Sequence, residues 1–508
     1  MKGWALWLAM VLVATPASAL GKDKKDKDKK SDKKEAQAAV QTPIEEAEAK
    51  LAAGDREGAL QALQKGAEDP GAAGGQAALR LGTLREDAGE LDLAIDAYRV
   101  AGEKLEGAAK GEALGRLAVA QDTRGTGDAA ATAEAAVAAD PEGVWPMIAM
   151  SHRRVHEGRA DDAVALAEKA VAAGGGAAAD AALGEAQEAK GDMAAAEAAF
   201  RKAMAEDPKR LGPVIGLAGV LRRTNRAAEA EPLLAKAIEA SPGAIDAYKE
   251  MARVKIALGR PQEAVSDASI AAAMAENDPD AQKLGMEVRV AAALQSLSQG
   301  QTDLAVQDLT RLRDENPQSA EVRLGLARAQ IARRDADGAL AELQKAVELD
   351  PKSAEASYQL GYVRLMMKGD AAGAVEPLEK AVSLDPGNAT YLTTFGTALG
   401  AAKQYDRAID VLTKTTAMPG YDKAEGFLSL GQAYVNTKRY TDAVTALEKA
   451  TSLAPDNAQA WATLGWAYFG LKDADKFKVA AGKARSLGYK EPTLLQYLSR
   501  VEAGEAIK

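Results

Sequence analysis

His152 and His156 are the only histidines in a chain of 508 residues, and both stand in SHRRVHEG, four apart. Four residues is about one helical turn, so the two imidazoles share a helix face and have the spacing with which a nitrogen pair can hold a divalent ion. A metal site needs further ligands. Glu157 points elsewhere on the helix and the chain has no cysteine, so the sequence predicts no metal and instead an exposed polar patch whose charge responds to pH. GAAGG at 71–75 and GGG at 174–176 have the glycines of a phosphate loop. They lack the lysine and the serine or threonine that such a loop requires, and read as turns between structural units. No Gly-x-Ser-x-Gly elbow occurs either. The expectation is a protein that is not an enzyme and uses no cofactor.

The elements that carry these residues are periodic. Pro208 to Pro242 is 34 residues, Pro317 to Pro351 is 34 and Pro351 to Pro386 is 35. The segment from Ala424 to Pro455 shows what lies between such prolines. Its apolar and small residues form two runs of helical period, broken near Asn436 to Arg439. Phe427, Leu430, Gly431 and Tyr434 share one face of the first helix, and Ala443, Leu447 and Ala450 one face of the second. Gly431 and Ala443 are small enough to let the helix backbones approach closely. Pro455 lacks an amide hydrogen and ends the second helix.

This unit resembles the tetratricopeptide repeat, with its Leu-Gly/Ala pair in the first helix, small residue early in the second, and closing proline. Leu183-Gly184, Ala196, Phe200, Ala203 and Pro208 fit it, as do Leu217-Ala218, Ala230, Leu234, Ala237 and Pro242, and Leu326-Ala327, Ala339, Leu343, Ala346 and Pro351. The resemblance implies an all-α fold: an α-solenoid of about thirteen helix-turn-helix repeats in a right-handed superhelix with a C-terminal capping helix. First helices begin near 40, 75, 111, 144, 177, 211, 245, 286, 320, 354, 389, 424 and 458, so the solenoid is expected over 40–490.

Departures from the pattern make further expectations. The long step from 245 to 286 places AENDPDAQKLG in a lengthened helix or loop. Phe477 stands where the small residue belongs, which predicts looser packing near the C-terminus; Trp461 falls on a core position. In 491–508, Leu494, Tyr497, Leu498 and Val501 form an inner stripe opposite Arg500, Glu502 and Glu505, as a capping helix requires.

In this family the first helices line a concave groove in which peptide ligands commonly lie. Carried onto this chain, the groove holds Trp145, His152 and His156, then Arg222, Lys249 and Arg253, then Tyr358 and Tyr362, and finally Trp466 and Phe469. Lys249 and Arg253 form a basic pair suited to clamping a carboxylate. The lysine-and-asparagine arrangement of the family's chaperone-tail binders is not reproduced.

At the N-terminus Lys2, the apolar run Trp4–Val13 and Ala17-Ser18-Ala19 have the order of a cleavable export signal over 1–19. Zero cysteines fit an oxidising compartment. The expected location is periplasmic; the alternatives are secretion or anchoring through an uncleaved N-terminal helix. Residues 20–39 include KDKKDKDKKSDKK, Lys22 to Lys34, with eight lysines against four aspartates. That composition predicts a disordered tether able to touch a membrane or wall surface. The net charge of −10 argues against nucleic acid as a partner. The function expected is a scaffold holding other envelope proteins in its groove, as in a motility, secretion or outer-membrane complex. A polysaccharide- or wall-binding solenoid and a non-catalytic subunit of an envelope enzyme are the alternatives.

Overall fold

The structure, a computed structural model, describes residues 42–507. Among them are twenty-seven α-helices and no strand. The helices follow as hairpins: α1 (Pro43–Ala52) and α2 (Arg56–Ala67), α3 (Ala72–Asp87) and α4 (Leu91–Lys104), α5 (Gly107–Arg124) and α6 (Ala129–Ala139), α7 (Val144–His156) and α8 (Ala160–Ala172). Next come α9 (Gly176–Lys190) and α10 (Met193–Glu206), α11 (Leu211–Arg223) and α12 (Ala227–Ala240), α13 (Ile245–Ala257) and α14 (Pro261–Met274), α15 (Pro279–Ser298) and α16 (Thr302–Glu315). The last are α17 (Ala320–Ala332) and α18 (Ala336–Leu349), α19 (Ala354–Tyr362) and α20 (Ala371–Leu384), α21 (Ala389–Ala401) and α22 (Tyr405–Thr416), α23 (Ala424–Asn436) and α24 (Tyr440–Leu453), α25 (Ala458–Gly470) and α26 (Ala474–Ser486). A single helix, α27 (Pro492–Glu502), closes the array. These are thirteen repeats and a cap.

Five hairpins are held by a glycine socket on the first helix and a large side chain on the second. A Cβ on Gly431 would stand 2.4 Å from Leu447 Cγ, and the same relation joins Gly396 to Leu412 and Gly82 to Tyr98. The first helix must therefore be bare where the second inserts its knob. The turn within every repeat passes through a left-handed residue. Glycine takes this position in eight repeats, and Asn225, Arg334, Lys403, Lys438 and Lys472 take it in the other five, with φ between 61 and 64°.

The irregular copies resolve physically. The extra residues after α14 lengthen a helix: α15 is 20 residues long. The one-residue excess between Pro351 and Pro386 is absorbed where α19 runs on into a π-turn, Val363–Met367, an insertion that such a turn accommodates. Phe477 does not loosen the last repeat. It is fully buried, while Ala481 occupies the place that Leu447 holds one repeat earlier and meets Gly465 at 3.4 to 3.6 Å. Large and small have exchanged positions, so the volume between the helices stays filled. Trp461 is not core: it is partly exposed, its indole Nε1 donating to the Pro455 carbonyl at 2.9 Å. GAAGG is only in part a turn, since Gly71 caps α3 while Gly74 and Gly75 are buried inside it.

Leu494, Leu498 and Val501 of α27 are buried against the last repeat, and Tyr497 packs on Phe469 with ring centroids 4.7 Å apart. At the other end the chain does not simply extend away. The turn after α3 meets the starts of α11 and α13, with Glu86 bonded to Arg210 at 2.7 Å. A Cβ on Gly89 would stand 2.9 Å from the Ala244 Cα. Repeats 2 to 7 thus come round upon themselves. The expected export signal and tether lie outside the described residues. Among those described, no helix is long and apolar enough to cross a membrane.

Candidate functional site

The concave face differs along its length. In the closed part the first helices α3, α5, α7, α9, α11 and α13 surround a chamber of about 370 Å³. Trp145, His152, Lys249 and Arg253, scattered over 109 positions of sequence, all line it. Arg116 lies over the Trp145 ring, 3.8 Å from its centroid, and Arg210 flanks the same ring at 5.6 Å. Both guanidinium groups also hold Glu86: Arg210 at 2.7 Å and Arg116 at 3.1 Å, with the Tyr98 hydroxyl donating as well. Burial alone would raise the Glu86 carboxyl, but the Arg210 and Arg116 charges keep it below the ordinary carboxylate range. Its neighbour Asp87 moves the other way, raised first by burial and then by the Glu86 charge.

The cations in this chamber already have partners within the chain. Lys249 Nζ is 2.8 Å from Asp280, 3.2 Å from Asp278 and 3.3 Å from Asp246. Arg253 reaches Asp280 at 3.0 Å, and Arg222 pairs with Glu250 at 2.7 Å outside the chamber. The expected carboxylate clamp therefore closes on the chain's own aspartates, Asp278 and Asp280 at the start of the lengthened α15 and Asp246 at the start of α13. Burial opposes the charge on Lys249, yet the three aspartates raise its pKa.

The histidines separate. His152 faces the chamber and its Nε2 lies 2.7 Å from Glu185; its side chain is 14% exposed, so it is not part of a surface patch. Burial disfavours its protonated form, but the charge and hydrogen bond of Glu185, with Asp122 behind, raise the pKa above the ordinary 6.5. His156 ends the helix in solvent. Among the described residues no group of three or more His, Asp or Glu converges as metal ligands would.

The face of repeats 10 to 13 has other chemistry. The ninth residue of successive first helices is Tyr362, Thr397, Gln432 and Trp466, whereas the same place in α7, α13 and α17 holds His152, Arg253 and Arg328. Tyr358 stacks on Tyr391 at 4.6 Å and lies 6.0 Å from Tyr362, giving an aromatic platform at one end. The Tyr391 hydroxyl donates to Glu355 at 3.0 Å, and burial with that carboxylate pushes its pKa up to about 12. Beyond the platform, over repeats 11 to 13, a groove of about 390 Å³ runs past Thr397, Ser429, Gln432, Gln459 and Thr463 to Trp466, and none of the platform's three tyrosines is among its lining residues. No charged side chain lines it. Thr397 and Ser429 share a hydrogen bond of 2.9 Å across two repeats. Trp466 turns one edge to Phe469 and Tyr497 beneath the cap and still borders the groove. Phe469 lies under α27 beside Phe477 at 5.5 Å, and is not among the groove's lining residues.

Glu86, Arg116 and Arg210 escaped the sequence reading because the closing pair is 124 residues apart and no repeat pattern relates its members. Thr397 and Gln432 carried a usable signal, since aligning the ninth residues places them between Tyr362 and Trp466.

Three tetratricopeptide-repeat family models match the chain. Two described as tetratricopeptide repeat cover 187–235 with 296–362, and 148–210. One described as TPR repeat covers 423–472. Solved structures with similar helical arrays include YrrB, a TPR protein with an unusual peptide-binding site, at 23% identity, 38% of this chain, 97% of that one and a TM-score of 0.33. MamA from Desulfovibrio magneticus RS-1 aligns at 24% identity over 36% of this chain and 95% of its own, with a TM-score of 0.30. The Cut9–Hcn1 hetero-tetramer of the APC/C aligns at 14% identity over 90% of this chain and 95% of that one, with a TM-score of 0.41. No curated protein sequence matches the chain. The matched segments are tetratricopeptide repeats, the kind of array that serves protein–protein interaction, and the described residues as a whole form an all-α solenoid of such hairpins.

Proposed function

We propose that this tetratricopeptide-repeat solenoid is an exported scaffold of the cell envelope, holding other envelope proteins along the groove of repeats 11 to 13. The observation that carries this reading is the contrast along the concave face. Repeats 2 to 8 pair their charges with one another, whereas the Thr397–Trp466 groove presents hydroxyl, amide and aromatic groups to whatever enters. Amide and hydroxyl groups can read an extended backbone through hydrogen bonds, and Trp466 offers an anchor of the kind that concentrates binding energy. The leader-like residues 1–19 and the absence of cysteine support export. A motility, secretion or outer-membrane assembly is the setting this composition suits, and the protein's part in it is binding.

A second reading rests on the same groove. Aromatic rings beside uncharged hydroxyl and amide groups also suit a neutral polysaccharide, which stacks its sugar faces and bonds through its hydroxyls. Cell fractionation of the producing organism should place the full chain in the envelope or periplasm; recovery in the cytosol would remove the export reading. Purified full-length chain should fail to retain neutral cell-wall polysaccharide when no protein partner is present. Retention that disappears in Trp466→Ala would transfer the function to the polysaccharide reading.

A further inference from the structure

The seam where repeats 2 to 7 meet differs from every joint between consecutive repeats. No apolar core crosses it. The cluster built on Ala78, Tyr98 and Leu117 shares no member with the cluster built on Phe200, Leu217 and Val254. By contrast, one cluster runs unbroken from Ala374 to Val501 through the last repeats and the cap. At the seam most of the contacting groups are small: Gly89 lies against Ala244 and the one large side chain, Leu211, and Gly243 is near the Ala88 carbonyl.

Charge does the rest. Glu86 on the α3 side takes Arg210 from the α11 side at 2.7 Å. At the far end of α5, Arg124 is only 6% exposed and faces Asp246 at 3.8 Å and Asp278 at 3.9 Å, with Asp92 at 3.6 Å on its own side. None of these is close enough to be a hydrogen bond, so Arg124 Nε and Nη2 make none within the chain. A buried guanidinium with unmatched donors carries an unrelieved desolvation cost in the closed arrangement. Finally, Asp87, Arg210 and Leu211 line both the chamber and a second cavity of about 950 Å³ between the first repeats and α10 to α12. These residues form the partition between the two spaces.

We propose that the seam is a reversible clasp: repeats 2 to 8 exchange between a closed ring and an open arc. Glu86 with Arg210, and Arg124 with Asp246 and Asp278, are the lock. Opening removes the partition and joins the two cavities into one cleft. The physical basis is what each state exposes. Parting two consecutive repeats would bring several buried leucines into water, whereas parting the seam uncovers one leucine, Leu211, among glycine, alanine and charged groups, a smaller apolar area. The open arc also lets Arg124 complete its hydrogen bonds with water. Both effects narrow the free-energy gap, which is the condition for a packed joint to have two populated arrangements.

Because the chain has no cysteine, two can be introduced for spin labels in the full-length protein, as Asp96→Cys on α4 and Glu263→Cys on α14. Electron–electron distance measurements should show one dominant short distance at low salt. Combining Glu86→Gln with Arg124→Met should shift most of that population to longer distances while the helical circular dichroism stays intact. Raising the salt concentration on the otherwise unaltered chain should move it the same way, which keeps the test decisive if the charge variants fold poorly. A short distance that persists through both the variants and high salt overturns the clasp, as does a long distance already dominant at low salt.

Discussion

Repeats 2 to 8 and repeats 10 to 13 are built from the same hairpin and make opposite use of their concave faces. In the first region the face turns inward on itself. Lys249, Arg253, His152 and Arg210 meet carboxylates supplied by other first helices and by the start of α15. In the second region the face stays open and carries no charge along its groove. The difference teaches that the repeat fixes where a side chain points, while the way the array curves decides whether it finds a partner within the chain or is left for a ligand.

The comparison breaks most sharply if the two regions do not unfold separately. Leu447→Ala removes the knob that fills the Gly431 socket, and a buried leucine lost to a cavity costs about 3 kcal/mol. Because stability in such arrays is summed over neighbours, hydrogen exchange should rise in repeats 11 to 13 and stay unchanged around the chamber. An equal rise in both would make them one cooperative unit.

Glu86→Ala reverses the experiment. It leaves Arg116 and Arg210 beside Trp145 without the carboxylate they share. For a carboxylate about a quarter exposed we expect a loss of about 2 kcal/mol, below the cost of breaking a fully buried pair. Thermal unfolding should show the early transition moving down while the C-terminal repeats hold. Adding salt should act in the same direction, weakening the first region more than the second.

A smaller effect comes from His152. Its pKa is raised in the folded state, so its contribution is fully present below 6.5 and is lost as pH rises through the folded pKa. The first region should therefore lose stability from weakly acidic to weakly alkaline pH, and His152→Gln should flatten that slope in urea titrations. Smallest of all is Lys438→Gly. Lys438 sits at φ 63°, where a side chain is strained and glycine is not. After glycine's entropic cost, repeat 12 should gain about 0.5 kcal/mol in denaturant midpoint experiments.

Much of the fold was legible because its physics is local. Leu430, Gly431, Ala443 and Leu447 state in sequence the face, the socket and the knob that the structure shows. Phe477 misled because one position was judged alone: its compensating partner, Ala481, lies one turn further on. Trp461 misled for a related reason, since its helix phase is right but its indole extends past the core edge to the Pro455 carbonyl. The site was legible only as directions. Trp145, His152, Lys249 and Arg253 do point inward, yet nothing local announced that Asp278, Asp280 and Glu86 would be waiting for their neighbours. Those encounters depend on accumulated curvature over several repeats, to which each copy contributes an angle too small to read from its residues.

The central claim is that the open groove, and not the self-paired chamber, receives the partner. Photo-crosslinking in intact cells from a probe at Gln432, compared with one at Arg253 and one on the outer face at Glu448, tests it most directly. The account predicts one discrete protein adduct from Gln432, abolished by Trp466→Ala, and none from the other two. Adducts from Arg253 or Glu448 with none from Gln432 would contradict it.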